Sequence, residues 1–194
     1  MVQVTQKKMK KITLRLLCIL ALTGGSNVSA SDPPRAEKLK TVEFLGITSS
    51  LPASWVEEDP SSSMRLAQFS VPGSDADSNA NLVIYFFGQG QGGTNEANIS
   101  RWQSQFSKPD GGVVSPQAQT MEAQGMPVTL VEFRGDYARG VGMGMGGTAL
   151  KDQMLLAAIV EYPRGNIFIQ LHGPAEAVSV HRAAFIAFIQ SIET

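Results

Sequence analysis

Hydrophobic residues fall along this chain in short blocks whose period changes from one block to the next. Val42, Phe44 and Ile47 predict a strand over 42–48, and Leu51-Pro52-Ala53-Ser54-Trp55 turns the chain into a short second strand through Val56. Met64, Leu66 and Phe69 predict a third strand, ended by Pro72-Gly73. Leu82 to Phe87 is a continuous apolar run, the pattern of a central strand covered on both faces. Beyond the glycine loop 88–93, Ile99, Trp102 and Phe106 fall at i, i+3 and i+7. That spacing predicts a helix over 94–107 with these residues on its buried face, stopped by Pro109-Asp110-Gly111-Gly112.

Further strands are expected at 113–122, 128–137, 154–162 and 167–172, the last two joined by a turn at Pro163-Arg164-Gly165-Asn166. Gly173-Pro174 opens a final helix with Glu176 in its first turn and an apolar stripe of Val178, Phe185, Ile189 and Ile192. Strands, helix, strands, helix, with hairpin-length links, predict an α+β fold. Its core is a single-domain, mostly antiparallel β-sheet with two helices packed on it, occupying residues 41–194.

The N-terminus follows a different logic. Lys7, Lys8, Lys10 and Lys11 precede an apolar run from Ile12 to Leu22, and Val28-Ser29-Ala30 supplies small residues where a signal peptidase reads. Residues 1–30 are therefore expected to be a cleaved signal peptide, with Met9 as an alternative start, and 31–40 a flexible lead-in. The run is interrupted by Arg15 and is about half the roughly 20 residues that span a bilayer, so no membrane span is expected in the mature protein. Export places the protein in the periplasm or outside the cell. Cys18 is preceded by Leu17 and lies inside the apolar run, which does not fit a lipidation signal.

Export changes the charge. Of the 16 basic groups five lie in residues 1–30, where there is no acid, leaving 11 against 17 acids, a net of −6. With no basic cluster after Ala30, nucleic acid is not an expected partner. The mature chain has no cysteine, which excludes a disulfide framework and any cysteine-based metal site.

Two strings stand out, Ser61-Ser62-Ser63-Met64-Arg65-Leu66-Ala67-Gln68-Phe69 and Phe87-Gly88-Gln89-Gly90-Gln91-Gly92-Gly93, the latter followed by Asn98, Arg101-Trp102 and Gln105-Phe106. Together they resemble strings in a group of uncharacterised exported bacterial proteins. The Leu51 to Trp55 segment, the helix after the fourth strand and the C-terminal helix also resemble the PsbP-like α/β sandwich. That resemblance implies accessory or partner-binding proteins of membrane-associated complexes more often than enzymes, and it carries no catalytic residue onto this chain.

Candidate chemistry is sparse. Gly88, Gly90 and Gly93 satisfy G-x-G-x-x-G between a strand and a helix, but a dinucleotide site also needs a parallel strand after the helix, and hairpin-linked strands are expected here. The glycines are read as permitting a tight crossover, with Gln89 and Gln91 available to present amides to a ligand. Trp102 is expected in the core, and Arg101 as a solvated helix residue or an anion clamp. Asp75, Asp77 and Asn79 match the opening of a calcium loop, which then fails at Ala80 and Phe86. Met143 and Met145, two residues apart in a glycine-rich stretch, could offer soft sulfur to Cu(I) or contact a partner adaptably. His172 and His181 are read as structural.

The function expected from the sequence is non-catalytic binding of an envelope protein partner or a small ligand. The candidate binding residues are Gln89, Gln91, Arg101, Met143 and Met145, with no catalytic residue, no metal and no cofactor. The alternatives are a cell-envelope hydrolase using His172 or His181, and a Cu(I) carrier using the methionine loop.

Overall fold

The structure is a computed structural model that describes residues 37–138 and 149–194. Strands β1 (Leu39–Phe44) and β2 (Ile47–Pro52) form a hairpin. The other strands are β3 (Val56–Glu58), β4 (Arg65–Val71), β5 (Ala80–Phe86), β6 (Phe106–Ser107), β7 (Gln117–Ala123), β8 (Met126–Tyr137), β9 (Leu150–Val160) and β10 (Ile167–Pro174). Helix α1 (Asn95–Gln103) lies between β5 and β6, and α2 (Ala175–Gln190) follows β10. Strands β3 to β10 make one antiparallel sheet in the order β3-β4-β5-β10-β9-β8, with β6 and β7 sharing the outer edge of β8.

The expected α+β architecture is what the chain forms, with local differences: besides shifted strand ends, such as β7 starting at Gln117 and β9 at Leu150, three change the pattern. The segment expected as one strand over 42–48 is a hairpin. Phe44 pairs with Ile47, so the turn is Leu45-Gly46, both at positive φ (58° and 75°), the geometry of a two-residue turn matched to strand twist. Helix α1 stops at Gln103, and Phe106 begins β6 instead of continuing the helix, although it packs in the same cluster as Trp102. The strand fully covered on both faces is β9, buried without a break from Gln153 to Val160, whereas β5 has an exposed Asn81 near its start and ends half-buried.

Alternation places two different surfaces on the sheet. Ile167, Ile169 and Leu171 of β10 face the same core as Leu82 and Ile84 of β5 and Leu156 and Ala158 of β9. On this face lie α2, through Val178, Phe185, Phe188 and Ile189, and the β1–β2 hairpin, through Phe44, Ile47 and Leu51. Full burial of side chains such as Phe185 and Phe188 contributes about 1.5–3 kcal/mol each. The C-terminal end is tied in by backbone bonds exchanged between Thr48 and Glu193 (2.9 and 2.8 Å) and by Ser49 Oγ donating to the Phe188 carbonyl (2.7 Å).

The opposite face is covered over only part of its width. Helix α1 and the β6 segment pack Trp102, Phe106 and Val114 over Val131, Phe133, Leu155 and Ile159 of β8 and β9. The α1 cluster also takes in Phe168 of β10, 2% exposed, with Tyr85 of β5 half-buried against it, and beyond these two the β4–β5–β10 side of the same face carries no helix among the described residues.

Candidate functional site

Cross-strand partners share a face, so the registers of β4, β5 and β10 give the composition of the part-covered surface. Arg65 pairs with Tyr85 and Tyr85 with Phe168; Gln68 pairs with Val83 and Val83 with Gln170; Ser70 pairs with Asn81 and Asn81 with His172. Three rows result, with polar side chains in each and aromatic rings in the first and third. A bulge at Leu66, where the register shifts between Arg65 and Ala67, brings Arg65 beside Tyr85.

Above this floor stand α1 and the turn after it, with Arg101, Trp102 and Gln105, and the 61–64 segment. Together they enclose a cavity of about 480 Å³. A second cavity of about 260 Å³ adjoins it, sharing Arg65, Tyr85, Gln105, Tyr137 and Gln170, and reaches His172. The two form one groove along the sheet. Tyr85 and Phe87 stack at 6.3 Å between ring centroids, and Phe87 lies 6.0 Å from Phe168, so one wall is aromatic. Phe87 is 42% exposed, a large apolar ring left open to solvent.

The groove's charge is one-sided. Its described lining contains Arg65 and Arg101 and no Asp or Glu. Arg65 donates from Nη1 to Oε1 of Gln68 (2.5 Å), which in turn donates from Nε2 to Glu58 (2.8 Å). Arg101 donates from Nη2 to Oδ1 of Asn98 (2.6 Å). Both guanidinium groups are thus held by neutral amide oxygens. The ion pairs among the described residues, Arg134–Asp152, Lys151–Asp136 and Arg182–Glu132, involve neither.

The glycine loop packs against the aromatic wall. Gly88, Gly90, Gly92 and Gly93 all have positive φ, between 70° and 93°. At Gly92 the backbone runs against the aromatic wall, where a Cβ would stand 2.7 Å from Cε2 of Phe168 and 3.0 Å from Cδ2 of Phe87. The buried Asn98 side chain donates to the carbonyls of Gly92 and Thr94, both at 2.8 Å, while Thr94 caps α1 by accepting from the Ala97 amide. Asn98 therefore joins the loop to Arg101. The strand after α1 pairs antiparallel with β8, so the G-x-G-x-x-G string sits outside any parallel β-α-β unit.

Of the sequence-predicted site residues, Arg101 lines the groove. Gln89 and Gln91 lie on the loop and line neither cavity. Met143 and Met145 lie outside the described residues, as do the signal segment and most of the lead-in. The Asp75 and Asn79 side chains accept backbone N–H groups, Asp75 from Asp77 (3.1 Å) and Asn79 from Gly73 (3.0 Å), and hold a turn. No group of three metal-ligating side chains occurs among the described residues.

The two histidines differ. His181 on α2 accepts from Trp55 Nε1–H at Nδ1 (3.3 Å) and lies 2.8 Å from the Pro72 carbonyl at Nε2, so the neutral Nε2–H tautomer satisfies both and latches α2 to the β3 and β4 ends. His172 lies in the smaller cavity of the groove, its ring 4.4 Å from that of Tyr137 and 6.4 Å from that of Phe106, while the groove's serines, Ser61 and Ser62, line the larger cavity, which His172 does not line.

Sequence reading did not single out Tyr85, Tyr137, Phe168 or Gln170. The signal was present in β10, where Phe168, Gln170 and His172 alternate with Ile167, Ile169 and Leu171. The two strings noted in the sequence, Ser61 to Phe69 and Phe87 to Phe106, supply Ser61, Ser62, Met64 and Arg65 from one side and Phe87, Arg101, Trp102 and Gln105 from the other.

The fold is the PsbP-like α+β sandwich. The solution structure of the cyanobacterial PsbP protein from Synechocystis matches with a TM-score of 0.52 and 15% identity, over 88% of this chain and 99% of that one. A crystal structure of a Pseudomonas aeruginosa protein of unknown function matches with a TM-score of 0.47 and 14% identity, over 80% of this chain and 96% of that one. No protein-family model matches the chain, and no curated protein sequence matches it. None of the described helices is long and apolar enough to cross a membrane.

Proposed function

We propose that this chain is an exported, non-catalytic binding domain of the PsbP-like fold that works in the periplasm or outside the cell. It holds a ligand in the groove between α1 and the part-covered β4–β5–β10 surface. The observation that supports this reading most directly is the half-covered sheet face. An antiparallel sheet buries the face that carries its core, and polar side chains normally solvate the other. Here that other face keeps Tyr85, Phe87 and Phe168 beside Gln170 and Arg65, enclosed on one side by a helix. A concave surface where aromatic rings stand beside side chains able to hydrogen-bond can seat a small ligand and fix its orientation.

The described groove supports binding better than hydrolysis. His181 is engaged as a latch, and His172 lies among aromatic and amide side chains. Gln89 and Gln91 enter this reading as loop residues that a larger partner could touch, and Met143 and Met145 as candidates for the same contact.

Gln170→Trp tests the site by filling its floor. The neutral probe N-phenyl-1-naphthylamine should bind the wild-type chain saturably and lose that binding in the variant, while both unfold cooperatively. Unchanged probe binding in a folded Gln170→Trp protein would remove the groove as the site. Export is tested separately by N-terminal sequencing of the mature protein, which should begin at Ser31.

A further inference from the structure

We infer that the groove's ligand is a small organic anion with a flat or extended apolar body, an inference that rests on the groove being the binding site. Charge and shape argue for it independently. Residues 31–194 carry a net charge of −6, yet the described groove lining has two arginines and no acid. On an acidic surface such a spot attracts the one sign of charge that the rest of the protein repels.

The arginines are also prepared for that task. Each spends one N–H on a side-chain amide oxygen, Gln68 for Arg65 and Asn98 for Arg101, which fixes the guanidinium without neutralising it. Guanidinium presents five N–H donors, so donors remain for a carboxylate, sulfonate or phosphate. Asn98 is itself anchored to the Gly92 carbonyl, so hydrogen bonding and packing connect the Arg101 support to the aromatic wall. The apolar body would lie along Tyr85, Phe87 and Phe168, with amides at Gln105 and Gln170 for a second polar group. The volume of about 480 Å³ falls within the roughly 300–1,000 Å³ typical of small-molecule pockets.

Two probes with the same ring system separate the charge from the body. 8-Anilinonaphthalene-1-sulfonate is the anion, and N-phenyl-1-naphthylamine is its neutral counterpart. Both are titrated by fluorescence against the full chain, Phe87→Ser, and the double variant Arg65→Gln/Arg101→Gln, each checked for a cooperative unfolding transition. The anion should bind more tightly than the neutral probe. The double variant should cut the ratio of the two affinities roughly tenfold, because it removes two charge-assisted hydrogen bonds at a partly exposed site. Raising ionic strength should weaken only the anion. Phe87→Ser should weaken both.

If Phe87→Ser weakens both probes but the double variant leaves their ratio unchanged, the groove stands as a binding site and the anion assignment falls. If Phe87→Ser alters neither probe, or neither binds saturably, the groove reading falls and the ligand class with it.

Discussion

The Gly92 backbone presses on the Phe168 ring so closely that a Cβ at Gly92 would stand 2.7 Å from Phe168 Cε2. Phe168 is itself 2% exposed, belongs to the α1-side core cluster and lines the groove. One contact thus links the glycine loop, the packing under α1 and the shape of the candidate site. Gly92→Ala combines overpacking with a left-handed backbone position, φ 86°, and should cost about 1–3 kcal/mol of unfolding free energy. Chemical denaturation of the variant checks the cost, and probe titration should show weaker binding than the stability loss alone would give.

Asn98→Ala removes two hydrogen bonds to the loop and α1 backbone and the acceptor for Arg101. The expected loss is about 1–3 kcal/mol, since the half-buried Gly92 carbonyl is left without its donor. Amide hydrogen exchange should rise first over residues 88–94, and a uniform rise across the sheet would contradict a local tethering role.

His181→Ala separates a latch from a catalytic base. Removing the bridge between Trp55 and Pro72 should lower stability by about 1–3 kcal/mol and leave probe binding in the groove intact, because Trp55 and α2 lie on the opposite sheet face. Loss of binding with unaltered stability would reverse that assignment.

At the end of β8, the Lys151 ammonium donates to Asp136 Oδ2 (2.5 Å) and holds that carboxyl below its usual range, with a weaker contribution from the Asp152 backbone N–H. A carboxylate whose pKa is lowered by folding contributes stability above its unfolded value, near 4, and loses it as pH falls through the folded value. Asp136→Asn should therefore be less stable than wild type at neutral pH, and the gap should close below about pH 4 in denaturation series run at several pH values. A gap that stays constant down to pH 2 would contradict the ion pair's role.

Much of the fold was legible because its strands are separated by strong breakers and its last helix carries a clean apolar stripe. Pro72-Gly73 and 163–166 end strands where expected, and Val178, Phe185 and Ile189 are fully buried. The Leu45-Gly46 turn was not read, because leucine rarely takes a φ such as 58° and the one local turn signal, Gly46, sits within an apolar stretch. The end of α1 was misplaced for a related reason. Ile99, Trp102 and Phe106 do pack together, but Phe106 reaches that cluster from β6.

The groove was partly written in the sequence. Arg101 and Trp102 were among the residues singled out, and the alternation in β10 marked a second, more polar face. What the sequence could not give was the bulge at Leu66 that brings Arg65 beside Tyr85, or the register that aligns Tyr85 with Phe168. Both depend on pairing between segments far apart in the chain.

The central claim is that the groove between α1 and the part-covered β4–β5–β10 face is where this protein binds. The chain's two tryptophans report on it separately, since Trp102 lines the groove and Trp55 is buried on the α2 side. In a nitrogen-15 NMR titration with 8-anilinonaphthalene-1-sulfonate, the Trp102 indole N–H signal and the Gln105 and Gln170 side-chain amides should shift saturably, while the Trp55 indole stays in place. A saturating titration that moves Trp55 and leaves Trp102, Gln105 and Gln170 untouched would contradict the account.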